Sequence, residues 1–324
     1  MDAQAPELTA LLRTLSDGEW HSGERLAAEA GCTRAGLAKR VARLRERYAL
    51  TVEAQAGRGY RLATPIDLLD EAAIRAHLDA PIEGVTVLPS VDSTNRWLLD
   101  APSTADPHLC VAEHQSAGRG RRGRAWASPF GQSLYLSLSW RFDHPADALG
   151  ALPLAIGCVC CQTLEALGAQ GLALKWPNDL VTEHGKLGGL LIEARGEMGG
   201  SFRVVIGLGL NLRRHAGLDG LDQPAIALSE CLNDATLPSR NMLCAGLATA
   251  LAQGCQRFNS DGLPPFRAVF DAHDALRDRA IVVHDAAQWT GIARGVDRNG
   301  ALRVEDEDGQ LHLVHAGDVS VRRA

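Results

Sequence analysis

Lysine is almost missing from this chain. Of 33 basic side chains among 324 residues, only Lys39, Lys175 and Lys186 are lysine, and the other 30 are arginine. Drift toward arginine explains the bulk of that imbalance, so the three exceptions mark places to inspect. Cysteine is present but without a framework. The eight thiols show no zinc-like pairing of ligand pairs, and the C-x-x-C of Cys158-Val159-Cys160-Cys161 lacks a redox context, so all are read as small buried hydrophobes. No long apolar run exists either. The longest uncharged stretch, between Asp147 and Glu165, has 17 residues, short of the ~20 that span a bilayer, and reads as a buried helix. Met1-Asp2-Ala3-Gln4 has no basic segment leading into an apolar one, so no signal peptide is expected and the cytoplasm is the expected compartment. A composition 46% hydrophobic and 22% charged excludes a disordered chain, a collagen and a coiled coil.

The net charge of −6 argues against wholesale coating of nucleic acid, yet it is unevenly distributed. Residues 1–64 carry ten basic and eight acidic groups, net +2; the rest carry 23 and 31, net −8. Within the basic stretch, Leu8, Leu11, Leu12 and Leu15 share one helix face. Ser22 caps a second helix that Gly31 ends, and Thr33 caps a third running to about Arg47. Leu37, Val41 and Leu44 face inward from it, leaving Arg34, Lys39, Arg40, Arg43, Arg45 and Arg47 on its surface. Helix, turn, basic helix, then a hairpin around Gly57-Arg58-Gly59 is the pattern of a winged helix-turn-helix. Thr33, Arg34, Lys39, Arg40, Arg43 and Arg58 are the candidate DNA contacts; the alternative is a small helical domain with a solvated basic face.

Beyond residue 64 a larger mixed α/β region is expected to 274, followed over 275–324 by short strands at the spacing of a small barrel. Gly118-Arg119-Gly120-Arg121-Arg122-Gly123 matches G-x-G-x-x-G, but the Pro129 and Gly131 that follow argue against the helix a dinucleotide fold requires. What remains is either a solvated loop or a lid whose arginine forks clamp phosphate or carboxylate oxygens. Around it stand Asp92-Ser93-Thr94-Asn95 at a strand–helix junction, Lys175-Trp176-Pro177-Asn178-Asp179, Lys186-Leu187-Gly188-Gly189, and Gly207-Leu208-Gly209-Leu210-Asn211. Each alone reads as a cap or a turn; their weight lies in occurring together and in order.

With His21-Ser22-Gly23-Glu24, Gly57-Arg58-Gly59-Tyr60 and Gln115-Ser116-Ala117 added, these segments resemble biotin protein ligases of the bifunctional bacterial kind, which double as biotin operon repressors, over nearly the whole chain. Lipoate ligases are similar in fold but are not expected to carry the arginine loop. Gly188 stands where the family's alanine is expected. The resemblance implies an α+β multidomain protein: a winged helix-turn-helix over 1–64, a class II synthetase-like biotin/ATP-binding domain over 65–274, and an SH3-like barrel over 275–324. It implies formation of biotinyl-5′-AMP from biotin and ATP with Mg²⁺, then transfer of biotin to a lysine of a biotin carboxyl carrier domain. The adenylate would also act as corepressor for a homodimer on biotin operator DNA.

By the same resemblance Ser93, Thr94, Asn95, Gln115 and the loop residues Arg119, Gly120 and Arg121 bind biotin, with Lys186. Arg119, Arg121, Lys186 and Asp179 serve the chemistry, since adenylation brings a carboxylate against an α-phosphate and needs cations. Trp126 either supports adenine or is a core residue. Asn178 and Asp179 either hold Mg²⁺ or orient the incoming amine. Asn178 is also a candidate for nucleotide binding, and Asn211 borders the nucleotide pocket. Two other readings stay open: a ligase whose winged helix does not regulate, and a ligand-sensing regulator without catalysis.

Overall fold

The computed structural model describes residues 5–101, 106–142, 146–195, 202–219, 221, 223–233, 236–284, 288–316 and 320–323. Met1–Gln4, on which the signal-peptide expectation was read, lie outside them.

Three helices open the chain: α1 (Ala5–Leu15), α2 (Gly23–Glu29) and α3 (Arg34–Tyr48). Ser22 Oγ accepts from the Arg25 amide and Thr33 Oγ1 from the Gly36 amide, so both expected caps form. Gly31 takes φ +57° in the turn between them. A two-stranded hairpin, β1 (Val52–Gln55) and β2 (Gly59–Leu62), follows. Gly59 lies so close to the His21 carbonyl that a Cβ there would sit 1.9 Å from its oxygen, so the close approach demands glycine. Leu8, Leu11, Leu12, Leu15, Leu37, Val41 and Leu44 are all buried in one cluster, as their spacing predicts, and Tyr48 joins them. That cluster also takes in Ile66 and Phe130, which stand beyond residue 64 in the chain. The Tyr48 and Phe130 rings lie 4.6 Å apart.

The central region is built on a seven-stranded sheet of order β3-β4-β5-β9-β8-β7-β6. Its strands are β3 (Gly84–Leu88), β4 (His108–Ala112), β5 (Ser133–Phe142), β6 (Ala173–Lys175), β7 (Asp179–Thr182), β8 (Gly185–Arg195) and β9 (Phe202–Asn211). β3 and β4 run parallel and every other pairing is antiparallel. One face is covered by α6 (Leu152–Ala166) and α7 (Arg240–Asp261), which pack on each other. The segment Leu149–Ala166 is long and apolar enough to cross a membrane, but 61% of it is buried inside the protein. Cys158, Cys160 and Cys161 on it are free and fully buried, and burial pushes the Cys158 and Cys160 thiols up to about 12. Cys32 alone of the eight is only partly buried.

The other face receives α5 (Thr94–Asp100), whose Leu98 packs with Cys110 and Val205. Two short helices carry too few apolar positions to show a period: α4 (Glu71–His77), with Ile74 buried, and α8 (Arg267–His273), with Phe270 buried. The linker into the sheet domain is clamped electrostatically. Arg240 donates to Glu113 (2.6 Å), to the Asp67 carbonyl and to the Ser133 carbonyl, while Glu113 Oε1 accepts the Leu69 amide.

Residues from 280 form a five-stranded antiparallel sheet of order β13-β12-β11-β10-β14. Its strands are β10 (Ala280–His284), β11 (Gln288–Val296), β12 (Leu302–Glu305), β13 (Leu311–Val314) and β14 (Ser320–Arg323); the sequence predicts the last of them over Val319–Arg322, of which Val319 is outside the described residues. Ile281, Val283, Ala293, Val296, Leu302, Val304 and Val314 belong to the same buried cluster as the central sheet. Trp176, in the Lys-Trp-Pro-Asn-Asp segment, is buried there and donates its indole N–H to the Gly300 carbonyl.

Candidate active site

The pocket lies on the α5 face of the sheet, over β8 and β9. Odd-numbered residues of β9 face it, and two of them are glycines. A Cβ at Gly207 would sit 2.3 Å from Asn95 Oδ1, and one at Gly209 would sit 2.6 Å from Trp126 Cε2. Their missing side chains therefore let α5 and the indole approach the strand. Ser93, Thr94, Asn95, Gln115, Arg119, Trp126 and Lys186 all line this one cavity, with Tyr135, Leu136 and Leu191 among the rest of its wall.

At the apolar end, polar groups are tied into a network. Gln115 Oε1 accepts from the Thr94 amide (2.9 Å) and hydroxyl (3.2 Å), and Gln115 Nε2 donates to Ser128 Oγ (3.3 Å). Ser137 Oγ lies within hydrogen-bond distance of Thr94 Oγ1 (2.7 Å) and Asn95 Oδ1 (2.6 Å). Asn95 Nδ2 donates to the Leu191 carbonyl and to Glu193 Oε2. Ser128, Ser137 and Glu193 were not anticipated. Ser137 and Glu193 stand in strands, where a polar residue looks solvent-facing until the covering helix is known, and Ser128 stands in a loop.

At the basic end, Lys186 Nζ donates to Asp179 Oδ1 and lies 5.4 Å from the Trp126 ring centroid. Trp126 lines the pocket, and its indole N–H is buried with no hydrogen-bond partner among the described residues. Asn211 Oδ1 is orphaned in the same sense, although its Nδ2 donates to the Lys186 and Ile226 carbonyls.

The arginine loop is folded. Arg119 bridges to Ala125, the Trp126 amide donates to the Gly118 carbonyl, and a 3₁₀ turn spans Arg121–Gly123, with Arg122 at φ 58° and Gly123 at φ 70°. No helix follows, in keeping with rejection of the dinucleotide motif. Arg119 points at the pocket and pairs with Glu193; Gly120 hydrogen-bonds Arg124 within the loop. Arg121 does not join Lys186. It donates to Asn178 Oδ1 (3.2 Å) and to the Ala316 carbonyl (2.6 Å), in a second cleft between the central sheet and the C-terminal strands.

Asn178 and Asp179 make a poor metal cradle. Asn178 spends its oxygen on Arg121 and its amide on the Leu190 carbonyl, and Asp179 is held by Lys186. No cluster of three or more His, Cys, Asp or Glu suited to a metal occurs among the described residues. Lys175 does not line the pocket.

The N-terminal basic residues divide. Lys39 and Arg43 are exposed on α3, and Arg34, at its start beside the Thr33 cap, is exposed while pairing with Glu24. Arg40 is turned inward instead: it donates to the Ala30 carbonyl and pairs with Glu7 at 2.8 Å, so it ties α3 to α1 and α2. Arg58 on the hairpin lies 4.7 Å from the Trp20 ring centroid.

Residues 87–211 match the Biotin/lipoate A/B protein ligase family and residues 280–322 match the biotin protein ligase C terminal domain. The chain is 42% identical to the bifunctional ligase/repressor BirA of Salmonella typhimurium and 39% identical to that of Escherichia coli K12, in each case over 97% of both chains. It is 34% identical to the biotin–[acetyl-CoA-carboxylase] ligase of Mycobacterium tuberculosis over 78% of this chain and 95% of the other. In fold it is similar to the biotin protein ligase of Aquifex aeolicus, solved with biotin and ATP, at a TM-score of 0.64 and 23% identity, covering 75% of this chain and 100% of that one. Pocket, basic loop and sequence likeness agree, and the chain belongs to the biotin protein ligase family.

Proposed function

We propose that this protein activates biotin with ATP and transfers the biotinyl group to a lysine of a biotin carboxyl carrier domain. The observation that carries the reading is the union in one cavity of the Thr94–Gln115–Ser137 network with Arg119, Lys186 and Trp126. A neutral ureido ring needs hydrogen-bonding groups in apolar surroundings, which the network and Leu136 and Leu191 supply. A biotin carboxylate oxygen attacks the α-phosphorus of ATP and the bond to pyrophosphate breaks. Arg119 and Lys186 offset the converging negative charge. The acceptor amine then attacks the acyl carbon, loses a proton, and AMP leaves with the carboxyl oxygen. Asp179 holds the Lys186 ammonium, and Asn211 and the Trp126 indole face the nucleotide. Magnesium enters with ATP; no step is assigned to it on Asn178 or Asp179. Arg121 reaches the ligand only by leaving Asn178 and Ala316, so its role belongs to a rearranged loop.

Residues 1–64 act in this reading as a winged helix-turn-helix, with Lys39, Arg43, Arg34 and Arg58 toward DNA and Thr33 as a cap. Residues 65–274 form the ligase domain, and 275–324 form an SH3-like barrel bordering the acceptor. Adenylate-bound protein dimerises on biotin operator DNA and represses biotin synthesis genes in the cytoplasm. BirA relatives alike over 97% of their length support the two roles together.

Incubation with biotin, Mg²⁺-ATP and an acceptor carrier domain tests the enzyme; absence of biotin transfer at saturation removes that reading. A mobility shift on DNA upstream of the organism's biotin synthesis genes, with and without biotin and ATP, tests repression. Binding indifferent to ligand leaves a ligase with a non-regulatory winged helix.

A further inference from the structure

Glu193 is a carboxylate bonded to two residues that line the pocket, Asn95 and Arg119, and beside a site for an anionic ligand such a charge works against binding unless it has another task. It sits on β8 facing α5, where Oε2 accepts from Asn95 Nδ2 at 2.8 Å, and both carboxylate oxygens lie 3.3–3.4 Å from Arg119 Nη2. Asn95 is thereby fully committed, with its oxygen near Ser137 and its two amide hydrogens directed to Leu191 and Glu193. It serves the pocket as a fixed wall and not as a free donor. Arg119 is engaged through one terminal nitrogen, which leaves the other edge of its guanidinium to meet an incoming carboxylate.

We propose that Glu193 is a positioning residue for biotin activation: it draws the arginine loop onto the pocket by holding Arg119, and couples that closure to the pocket wall through Asn95. The inference rests on the ligase reading of the pocket. Its chain runs wall, carboxylate, loop: Ser137, Asn95, Glu193, Arg119. A merely stabilising pair of this exposure contributes little to folding, so folding and positioning roles separate experimentally.

Glu193→Gln keeps the shape and removes the charge. The full-length variant should show a KM for biotin raised about tenfold with kcat within about twofold of wild type, because the loss lies in assembling the bound state. Placing Glu193→Gln on Arg119→Ala should add nothing further, since the carboxylate acts through that arginine. Without any substrate, trypsin should cut the variant between residues 119 and 124 several-fold faster than wild type, read by mass spectrometry. An unchanged or lowered KM overturns the proposal, as does full additivity with Arg119→Ala, or a cutting rate equal to wild type. If wild type itself transfers no biotin, the ligase reading fails, while the ligand-free cutting rate still decides whether Glu193 holds the loop.

Discussion

Lys186 Nζ lies 2.7 Å from Asp179 Oδ1, across the turn between β7 and β8, with both side chains about four-fifths buried. The ammonium is a compact charge on a rotatable stem, already neutralised in part and set 5.4 Å from the Trp126 ring centroid. A Cβ on Gly189 would come within 3.2 Å of it, so the space around it is closely filled. Lys186→Arg keeps the charge but introduces a planar fork that cannot occupy that space. Adenylate formation should fall by about 100-fold, measured as biotin-dependent pyrophosphate release; a rate within threefold of wild type removes Lys186 from its role.

Gly207→Ala directs a methyl group at Asn95 Oδ1. Asn95 cannot retreat without breaking its bonds to Ser137, Leu191 and Glu193. Biotin affinity should drop by about tenfold or more, read by titration calorimetry. Gly246→Ala, on the long helix α7 where nothing stands within 4 Å of the added carbon, is the control and should bind as wild type.

Arg240 and Glu113 are each about 95% buried and paired at 2.6 Å. Arg240→Met leaves Glu113 a buried carboxylate whose remaining hydrogen-bond donor among the described residues is the Leu69 amide. Unfolding in urea should show a loss of about 3–5 kcal/mol. The double variant with Glu113→Gln should lose less than the single one, because the stranded charge is gone.

His273 Nε2 donates to Glu165 Oε1 at 2.8 Å and Nδ1 donates to the Val269 carbonyl at 2.8 Å. Burial disfavours its charged form, but the Glu165 carboxylate and the Val269 carbonyl outweigh that, so its pKa is raised above the usual value. The pair's stabilisation is therefore full below about pH 6.5 and is lost as pH rises through the raised value. His273→Gln should cost a few tenths to about 1 kcal/mol at about pH 5.5 and nearly nothing at about pH 9. Paired unfolding curves of wild type and variant at the two pH values check it; an equal cost at both refutes the pairing.

Lys39 and Arg40 are neighbours on α3 with different environments, one exposed and the other tied to Glu7 and Ala30. Lys39→Ala should weaken operator binding evenly across sequences and lower the salt slope by about 1. Arg40→Ala should lower the melting temperature of the N-terminal helices without that change in slope. Binding titrations at several salt concentrations and thermal melts separate the two.

The sequence makes Lys39, Lys175 and Lys186 conspicuous; Lys186 lines the pocket and Lys39 is exposed on α3, while Lys175 does not line the pocket. Long apolar runs make β5, β9, α6 and α7 legible in the sequence. β7 is hard to read because Asp179–Thr182 follows directly on the Trp176–Asn178 turn and has only Leu180 and Thr182 buried. Contacts between distant segments left no local trace: Arg121 with Asn178 and Ala316, Glu193 with Asn95 and Arg119. Arg40 illustrates the same limit, because basic residues on a helix look alike until the neighbouring helices are in place.

Phe130, reached by the chain straight after the pocket-lining loop, fills the interior of the N-terminal helices against Tyr48. Between them, Ser128 receives Gln115 and the Pro129 carbonyl receives the Tyr135 hydroxyl, so the segment is anchored to the pocket at one end and to α3 at the other. A chimera joined near residue 64 would pair a borrowed helical module with the wrong plug, or leave an aromatic ring in water. Exchange of modules between relatives must therefore follow the packing seam, carrying Phe130 along with the helices it completes.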